Sequence, residues 1–303
     1  YGFSAITLAS LVGGAAVVTL PRFEPEAFLS AIEAYRVNRL GVVPPVLQFL
    51  ASHPLVQGRD LSSLHRVGSG AAPMSAELGD RVAARLGCPV TQGYGMTESS
   101  GVVATTPLGQ GRRGSSGMLL PGTQMRTVHP ETLAEMPAGE PGELWFRGPQ
   151  AFTGYHRQPE ATAATLLPDG WVRTGDIGFV DADGHLFITD RLKELIKVKG
   201  FQVAPAELEA VLHGHPAVLD CAVFGVPDEA AGEVPVAAVQ LDPDQPVNVE
   251  ELQRLVADTL ANYKQLREVV VVAAIPRLPS GKVLRRVLRD EWAAQPVASG
   301  SGH

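Results

Sequence analysis

Apolar and polar positions along the first part of the chain alternate between helical and strand spacing. Pro25 to Arg36 predicts a helix and Leu40 to Val43 a strand. Val46 to Ser52 predicts a helix opened by Pro44-Pro45. Leu64 to Val67 is strand-like and ends in Gly68-Ser69-Gly70-Ala71-Ala72-Pro73. A helix over Ser75 to Leu86 follows, then a strand at Val90 and the turn Gly93-Tyr94-Gly95. Such alternation implies a mostly parallel sheet with ligands at the carboxyl ends of its strands.

The uncharged run Phe3 to Leu20 is interrupted by Ser4, Thr7, Ser10 and Thr19 and split by Gly13-Gly14, and no basic segment precedes it. That pattern predicts a short buried helix and a strand over Ala15 to Leu20 rather than a membrane span or signal peptide. The chain opens without Met inside this run and reads as a fragment.

From about Gly117 to Asp190 the pattern shortens. Gln124 to Val128, Glu143 to Arg147 and Leu186 to Thr189 predict strands separated by Pro, Gly and Asp turns, as in a small antiparallel unit or barrel. Beyond Lys193 the texture is mixed, with helices over Pro205 to Leu212 and Val249 to Leu260. Strands are expected over Leu219 to Val226 and Val269 to Val272. The chain thus divides into a partial α/β domain (1–118), an antiparallel β subdomain (119–190), a mobile α+β domain (191–290) and a tail (291–303) whose end reads as a linker or expression scar.

Composition narrows the function. With 45% apolar residues in 303, the chain is globular and long enough for two domains. A net charge of −7 disfavours nonspecific binding to nucleic acid or anionic membranes. Cys88 and Cys221 stand far apart without ligand-spaced neighbours, which excludes a disulfide scaffold or zinc site and fits a reducing, cytoplasmic setting.

Four stretches carry candidate chemistry, each with a plainer alternative. Gly93-Tyr94-Gly95-Met96-Thr97-Glu98 could stack a base on Tyr94, bond a phosphate through Thr97 and hold Mg²⁺ through Glu98; it could equally be a glycine-rich turn with a capping Thr. Trp171-Val172-Arg173-Thr174-Gly175-Asp176 ends a predicted strand with a carboxylate suited to ribose hydroxyls, or with an ordinary turn Asp. In Asp190 to Gly200, a strand would put Lys193, Lys197 and Lys199 on one face, either to bind anions or as a solvated edge. Pro279-Ser280-Gly281-Lys282 offers a lysine on a loop among Arg277, Arg285 and Arg286. It is not a phosphate loop of the Walker type, since no Gly stands five residues before Gly281 and no Ser or Thr follows Lys282, and a solvated basic tail is the alternative.

Taken in this order, with Gly142-Glu143-Leu144 and Gly154-Tyr155 between them, these stretches resemble the adenylate-forming superfamily of acyl-CoA synthetases, firefly luciferase and peptide-synthetase adenylation domains. Gly200-Phe201-Gln202-Val203-Ala204-Pro205-Ala206-Glu207-Leu208-Glu209 looks most like the 4-coumarate:CoA ligase branch, and the resemblance runs from Tyr1 to about Arg289. It implies the remainder of a large N-terminal α/β domain with a small β-barrel, followed by a small mobile α+β C-terminal domain. It also implies that the family's glycine- and serine-rich phosphate loop lies upstream of Tyr1. The chemistry implied is attack of a carboxylate on the α-phosphorus of ATP to give acyl-AMP, then displacement of AMP by the thiol of coenzyme A.

Residue roles follow from the same resemblance. Ala71, Ala72, Pro73, Gln92, Gly93 and Tyr94 would hold adenine, Thr97 the α-phosphate, Glu98 the Mg²⁺, and Asp176 and Arg191 the ribose. Lys282 would meet the charge of adenylation, Lys193 would be the hinge, and Lys197 and Gln202 would face the adenylate during thioester formation. Arg22, Lys199 and Gly200 match coenzyme A contacts, with Arg22 in place of a Lys. Tyr1, Ala5, Ala71, Gly93, Gly101 and Val102 match the walls of a hydroxycinnamate pocket. Ala5 in place of Ser, and Ser99-Ser100-Gly101 in place of Ala-Gly-Pro, give a roomier pocket open to aryl or medium-chain acids. Three readings remain: an acyl-CoA ligase, an adenylating enzyme with another acceptor, and a non-catalytic paralogue that binds ligand only.

Overall fold

The computed structural model describes residues 1–278 and 281–294, so Pro279-Ser280 of the basic loop and the tail segment 295–303 lie outside the described residues. Two units separate by their internal contacts, Tyr1–Ile188 and Thr189–His303.

The first unit opens with a π-helical segment, Gly2–Leu8, running into α1 (Ala9–Val12). Then come α2 (Pro25–Tyr35), β1 (Arg39–Val42), α3 (Pro44–Ser52), β2 (Arg66–Ser69), α4 (Ala76–Leu86) and β3 (Val90–Tyr94). Proline opens α2 and α3, where its missing N–H is no loss. The Ser75 side chain caps α4 by accepting the Leu78 N–H, and Gly87 stops that helix in the left-handed region. β1, β2 and β3 pair in parallel. Antiparallel β4 (Ala104–Thr105) and β5 (Met118–Leu119) complete a sheet in the order β1-β2-β3-β4-β5. Leu29, Ile32, Leu47, Leu50, Val67 and Val82 bring the helices and strands into one apolar core.

The start of the chain differs from expectation. No residue from Tyr1 to Leu20 is fully buried, and Ala15 to Leu20 forms no strand. A strand needs a neighbour to take its N–H and C=O groups, and an apolar run encodes no such partner.

β6 (Gln124–Val128), β7 (Gly142–Arg147), α5 (Pro159–Thr165), β8 (Val172–Val180) and β9 (Leu186–Arg191) follow. The four strands form an open sheet in that order. The anticipated barrel does not close, because four strands are about half of what a small barrel needs.

The second unit contains β10 (Ile196–Val198), β11 (Phe201–Val203), α6 (Pro205–His213), β12 (Val218–Asp228), β13 (Gly232–Leu241), α7 (Val249–Thr259), β14 (Glu268–Val271) and α8 (Arg285–Ala293). β12 and β13 make a long antiparallel hairpin. β13 also meets β10 at Gly232 and parallel β14 along Val236 to Val239. Alternation along β12 sends Cys221 and Val223 into a core with Leu208, Leu212, Leu252 and Val256, while Ala222 and Phe224 pack with Leu288 of α8. The lysine run corrects the sequence reading. Lys193 sits in a turn closed by Glu194 N–H and Leu195 N–H on the Arg191 carbonyl, and Lys199 lies in a second turn, leaving only Lys197 on a strand. The three lysines therefore share no strand face.

Candidate functional site

In the first unit the candidate residues gather at the end of β3. Gly93 and Tyr94 belong to the strand itself rather than to the expected turn. Gln92 Oε1 accepts the Met74 N–H at 2.9 Å and its Nε2 donates to Ser116 Oγ at 3.2 Å. The loop Ala71-Ala72-Pro73, entered through Ala71 at φ +70°, is thereby tied to β3. A Cβ on Gly95 would lie 2.2 Å from the Gly101 carbonyl oxygen, so only glycine allows these two backbones to cross. Thr97 to Ser99 then forms a single tight turn, which the Ser99 hydroxyl closes by accepting the Met96 N–H at 3.0 Å.

Asp176, expected to end a strand, lies buried in the middle of β8. Trp145 faces Arg173 while Glu143 faces Ile177, so one residue of β7 opposes three of β8 in a bulge. Gly175 adopts φ +67° there. Buried Glu143 anchors the bulge, accepting the Gly175 N–H at 3.3 Å on Oε1 and Arg173 Nη2 at 3.2 Å on Oε2. Thr174 Oγ1 donates to the Leu144 carbonyl at 2.6 Å and accepts the Asp176 N–H at 3.0 Å. The Asp176 carboxylate is thus aimed at Tyr94, whose hydroxyl donates to Oδ2 at 2.6 Å.

Glu98 Oε1 accepts the Tyr155 hydroxyl at 2.5 Å. Burial, and then the bond to Glu98, pushes the Tyr155 phenol above its ordinary pKa. Gly154 at φ +138° lets the chain pass Thr162, whose Oγ1 accepts the Tyr155 N–H at 2.9 Å. The Phe152 N–H donates to the Glu98 carbonyl at 2.8 Å. The sequence marks Glu143 and Tyr155 only as motif positions. Their partners lie 32 and 57 residues away, beyond any local signal.

As a metal ligand, Glu98 is a single carboxylate, and no group of three metal-ligating side chains occurs among the described residues. That suits Mg²⁺, which takes one or two carboxylates and fills its shell with water and substrate oxygens.

Tyr1 lies over Gly70, where a Cβ would be 2.7 Å from its ring, and its hydroxyl is 3.4 Å from the carbonyls of Val42 and Gly68. Burial raises its pKa. Ser4 and Ala5 abut Gly101, and Val102 abuts Gly95. Arg22 is exposed and pairs with Glu24 at 2.8 Å, with no tie to these residues.

In the second unit, Lys199 and Gly200 are the two central residues of the β10–β11 hairpin, at φ +50° and +86°. Two successive left-handed residues make a type I′ turn, whose twist matches the strands. Lys197 faces Gln202 across this hairpin. Lys199 also lines a cleft of about 470 Å³ with Asp228, Tyr263 and Arg267. Asp190 accepts the Arg191 N–H at 2.6 Å and the Ala206 N–H at 3.1 Å, and burial lifts its pKa to about 6. Lys282 is exposed. Three residues on, Arg285 donates to Glu209 at 2.6 Å, to Glu194, and to the Val223 carbonyl at 2.8 Å.

Residues 1–156 match the family described as AMP-binding enzyme, and residues 207–282 match the AMP-binding enzyme C-terminal domain. Similar curated proteins include 4-coumarate–CoA ligase 2 of Oryza sativa subsp. japonica, 45% identical over 97% of this chain and 53% of its own length. The chain thus spans about half the length of the curated relatives it matches. Similar solved structures include ATP-bound MatB from Rhodopseudomonas palustris, with TM-score 0.90 and 32% identity over 97% of this chain and 58% of that one. Another is the amide bond synthetase McbA from Marinactinospora thermotolerans, with TM-score 0.85 and 38% identity over 93% and 57%.

Proposed function

The chain belongs to the AMP-binding enzyme family, and from that premise we propose that it serves in ATP-dependent activation of an aryl carboxylic acid to acyl-AMP and in transfer of the acyl group to coenzyme A. The observation that carries this reading is the 2.6 Å bond from Tyr94 to Asp176, because it joins the end of β3 to a buried carboxylate. A ring beside a carboxylate suits adenosine, with the base against Tyr94 and ribose hydroxyls donating to Asp176. Arg191 belongs to the same ribose assignment.

The family resemblance assigns the steps to residues. The Ala71-Ala72-Pro73 loop, Gln92 and Gly93 form the adenine wall, and Thr97 donates to the α-phosphate. A magnesium ion at Glu98 would offset phosphate charge as pyrophosphate leaves. Lys282 supplies a positive charge to the α-phosphate as the carboxylate attacks. For the second step the thiolate of coenzyme A attacks the acyl carbon and AMP leaves, and Lys197 and Gln202 are the residues assigned to that state. Arg22, Lys199 and Gly200 hold coenzyme A. Tyr1 with Ala5, Ala71, Gly93, Gly101 and Val102 forms a flat slot suited to an aryl acid.

Calorimetric titration with AMP tests the reading. Asp176→Ala should weaken AMP binding by about tenfold or more, since a buried acceptor for hydroxyls is lost. Equal affinity in the variant would remove the adenosine site from this place.

A second reading keeps the adenylation and changes the acceptor to an amine. Its support is the 38% identity to a protein described as an amide bond synthetase. Offering coenzyme A and an amine in competition separates the two by product.

A further inference from the structure

The loop that bears Lys282 is fastened at both ends to one strand, β12. On its near side, Arg277 spreads its guanidinium over two partners. Nε and Nη2 form a fork on the Asp220 carboxylate at 3.1 and 2.8 Å, and Nη1 donates to the Gly281 carbonyl at 2.8 Å. Both side chains are about three-quarters buried. On its far side Arg285 reaches the Val223 carbonyl of the same strand. Between them the Leu278 N–H donates to the Lys282 carbonyl at 2.9 Å, the Gly281 N–H donates to Leu278 at 2.8 Å, and Arg277 bridges Val283. Gly281 sits at φ +84°.

We propose that Arg277 and Asp220 are positioning residues for Lys282. The carboxylate fixes the guanidinium, the guanidinium fixes the peptide immediately before Lys282, and that peptide sets the direction in which the lysine leaves the backbone. An exposed lysine has several free rotors, so the placement of its root decides how often its ammonium reaches a target. A lysine at position 277 cannot reproduce the link, because one ammonium cannot fork onto Asp220 in a plane while also meeting Gly281. The inference rests on the reading of Lys282 as the residue that meets the α-phosphate.

The test compares Arg277→Lys, Asp220→Asn and Lys282→Ala in the whole chain, by amide hydrogen exchange and by two half-reactions with 4-coumarate. In Arg277→Lys and Asp220→Asn, exchange at the amides of Leu278 and Gly281 should rise about tenfold while β12 and β13 keep their protection. ATP–pyrophosphate exchange should fall about tenfold through kcat, with KM for ATP held within about twofold. Thioester formation from synthetic acyl-adenylate should persist. Unchanged exchange in both variants overturns the proposal, and so does parallel loss of both half-reactions with general loss of protection. If Lys282→Ala leaves pyrophosphate exchange intact, the reading of Lys282 fails instead, and hydrogen exchange alone still decides whether Arg277 holds the loop.

Discussion

The Tyr155 phenol donates to the Glu98 carboxylate at 2.5 Å, across 57 residues of chain. The bond does two things. It restrains a carboxylate that stands on a single tight turn, and it occupies one of the two oxygens, Oε1. Tyr155→Phe removes the donor and keeps the ring against Phe152. A hydrogen bond to a charged group contributes about 1.5–3 kcal/mol, so kcat/KM for adenylation should fall about ten- to a hundredfold. Pyrophosphate release across a Mg²⁺ series measures it, and an unchanged series would make Tyr155 a packing residue.

Glu143 is the anchor of the β8 bulge. Glu143→Ala leaves the Gly175 N–H and the Arg173 guanidinium without their acceptor. Stability should drop by about 2–4 kcal/mol in urea denaturation, and AMP affinity should drop with it as Asp176 loses its aim. Glu143→Gln, which keeps one acceptor oxygen, should lose less of both.

Asp190 makes the second unit pH-sensitive in a direction opposite to that of an ordinary paired carboxylate. Burial raises its pKa from 3.8 to about 6, so the folded state holds its proton over a range in which the unfolded state has released it. Folded protein then binds more protons than unfolded protein between about pH 4 and 6, and the contribution of Asp190 to stability falls as pH rises through that window. The whole effect is about 3 kcal/mol. Denaturation of wild type and Asp190→Asn at pH 4 and pH 7 should therefore show the variant gaining on wild type at the higher pH. A difference independent of pH would mean that the carboxylate is ionised throughout.

Tyr1 lies over Gly70, and Ser4 and Ala5 abut Gly101, small residues that the proposed slot for a flat acid would use. Competition between 4-coumarate and palmitate should favour 4-coumarate by about tenfold or more in kcat/KM. A preference for palmitate would assign the slot to alkyl chains.

The sequence made the β-α alternation from Pro25 to Leu86 legible because proline starts, Gly87 and apolar spacing are local signals. Tyr94, Glu98 and Asp176 stand out in the sequence as candidate chemistry by residue type alone. Their joining does not, since Tyr94 meets Asp176 across 82 residues and the bulge that aims Asp176 depends on Glu143 in another strand. The lysine run misled because the turn at Lys193 contains neither Gly nor Pro, so nothing local breaks the alternation. Ala15 to Leu20 misled for the complementary reason that a strand is defined by its neighbour.

If Lys199 contacts coenzyme A as proposed, the hairpin tip sets folding and chemistry against one another. A lysine at φ +50° is strained, whereas Gly, Asn or Asp accepts that backbone at less cost. In a saturation library sorted for folding alone, those three should be enriched at position 199 and Val or Ile depleted. Sorting the same library for acyl transfer to coenzyme A should restore lysine. The ratio of the two enrichments would then measure, at one position, how much conformational ease the chain gives up for a positive charge.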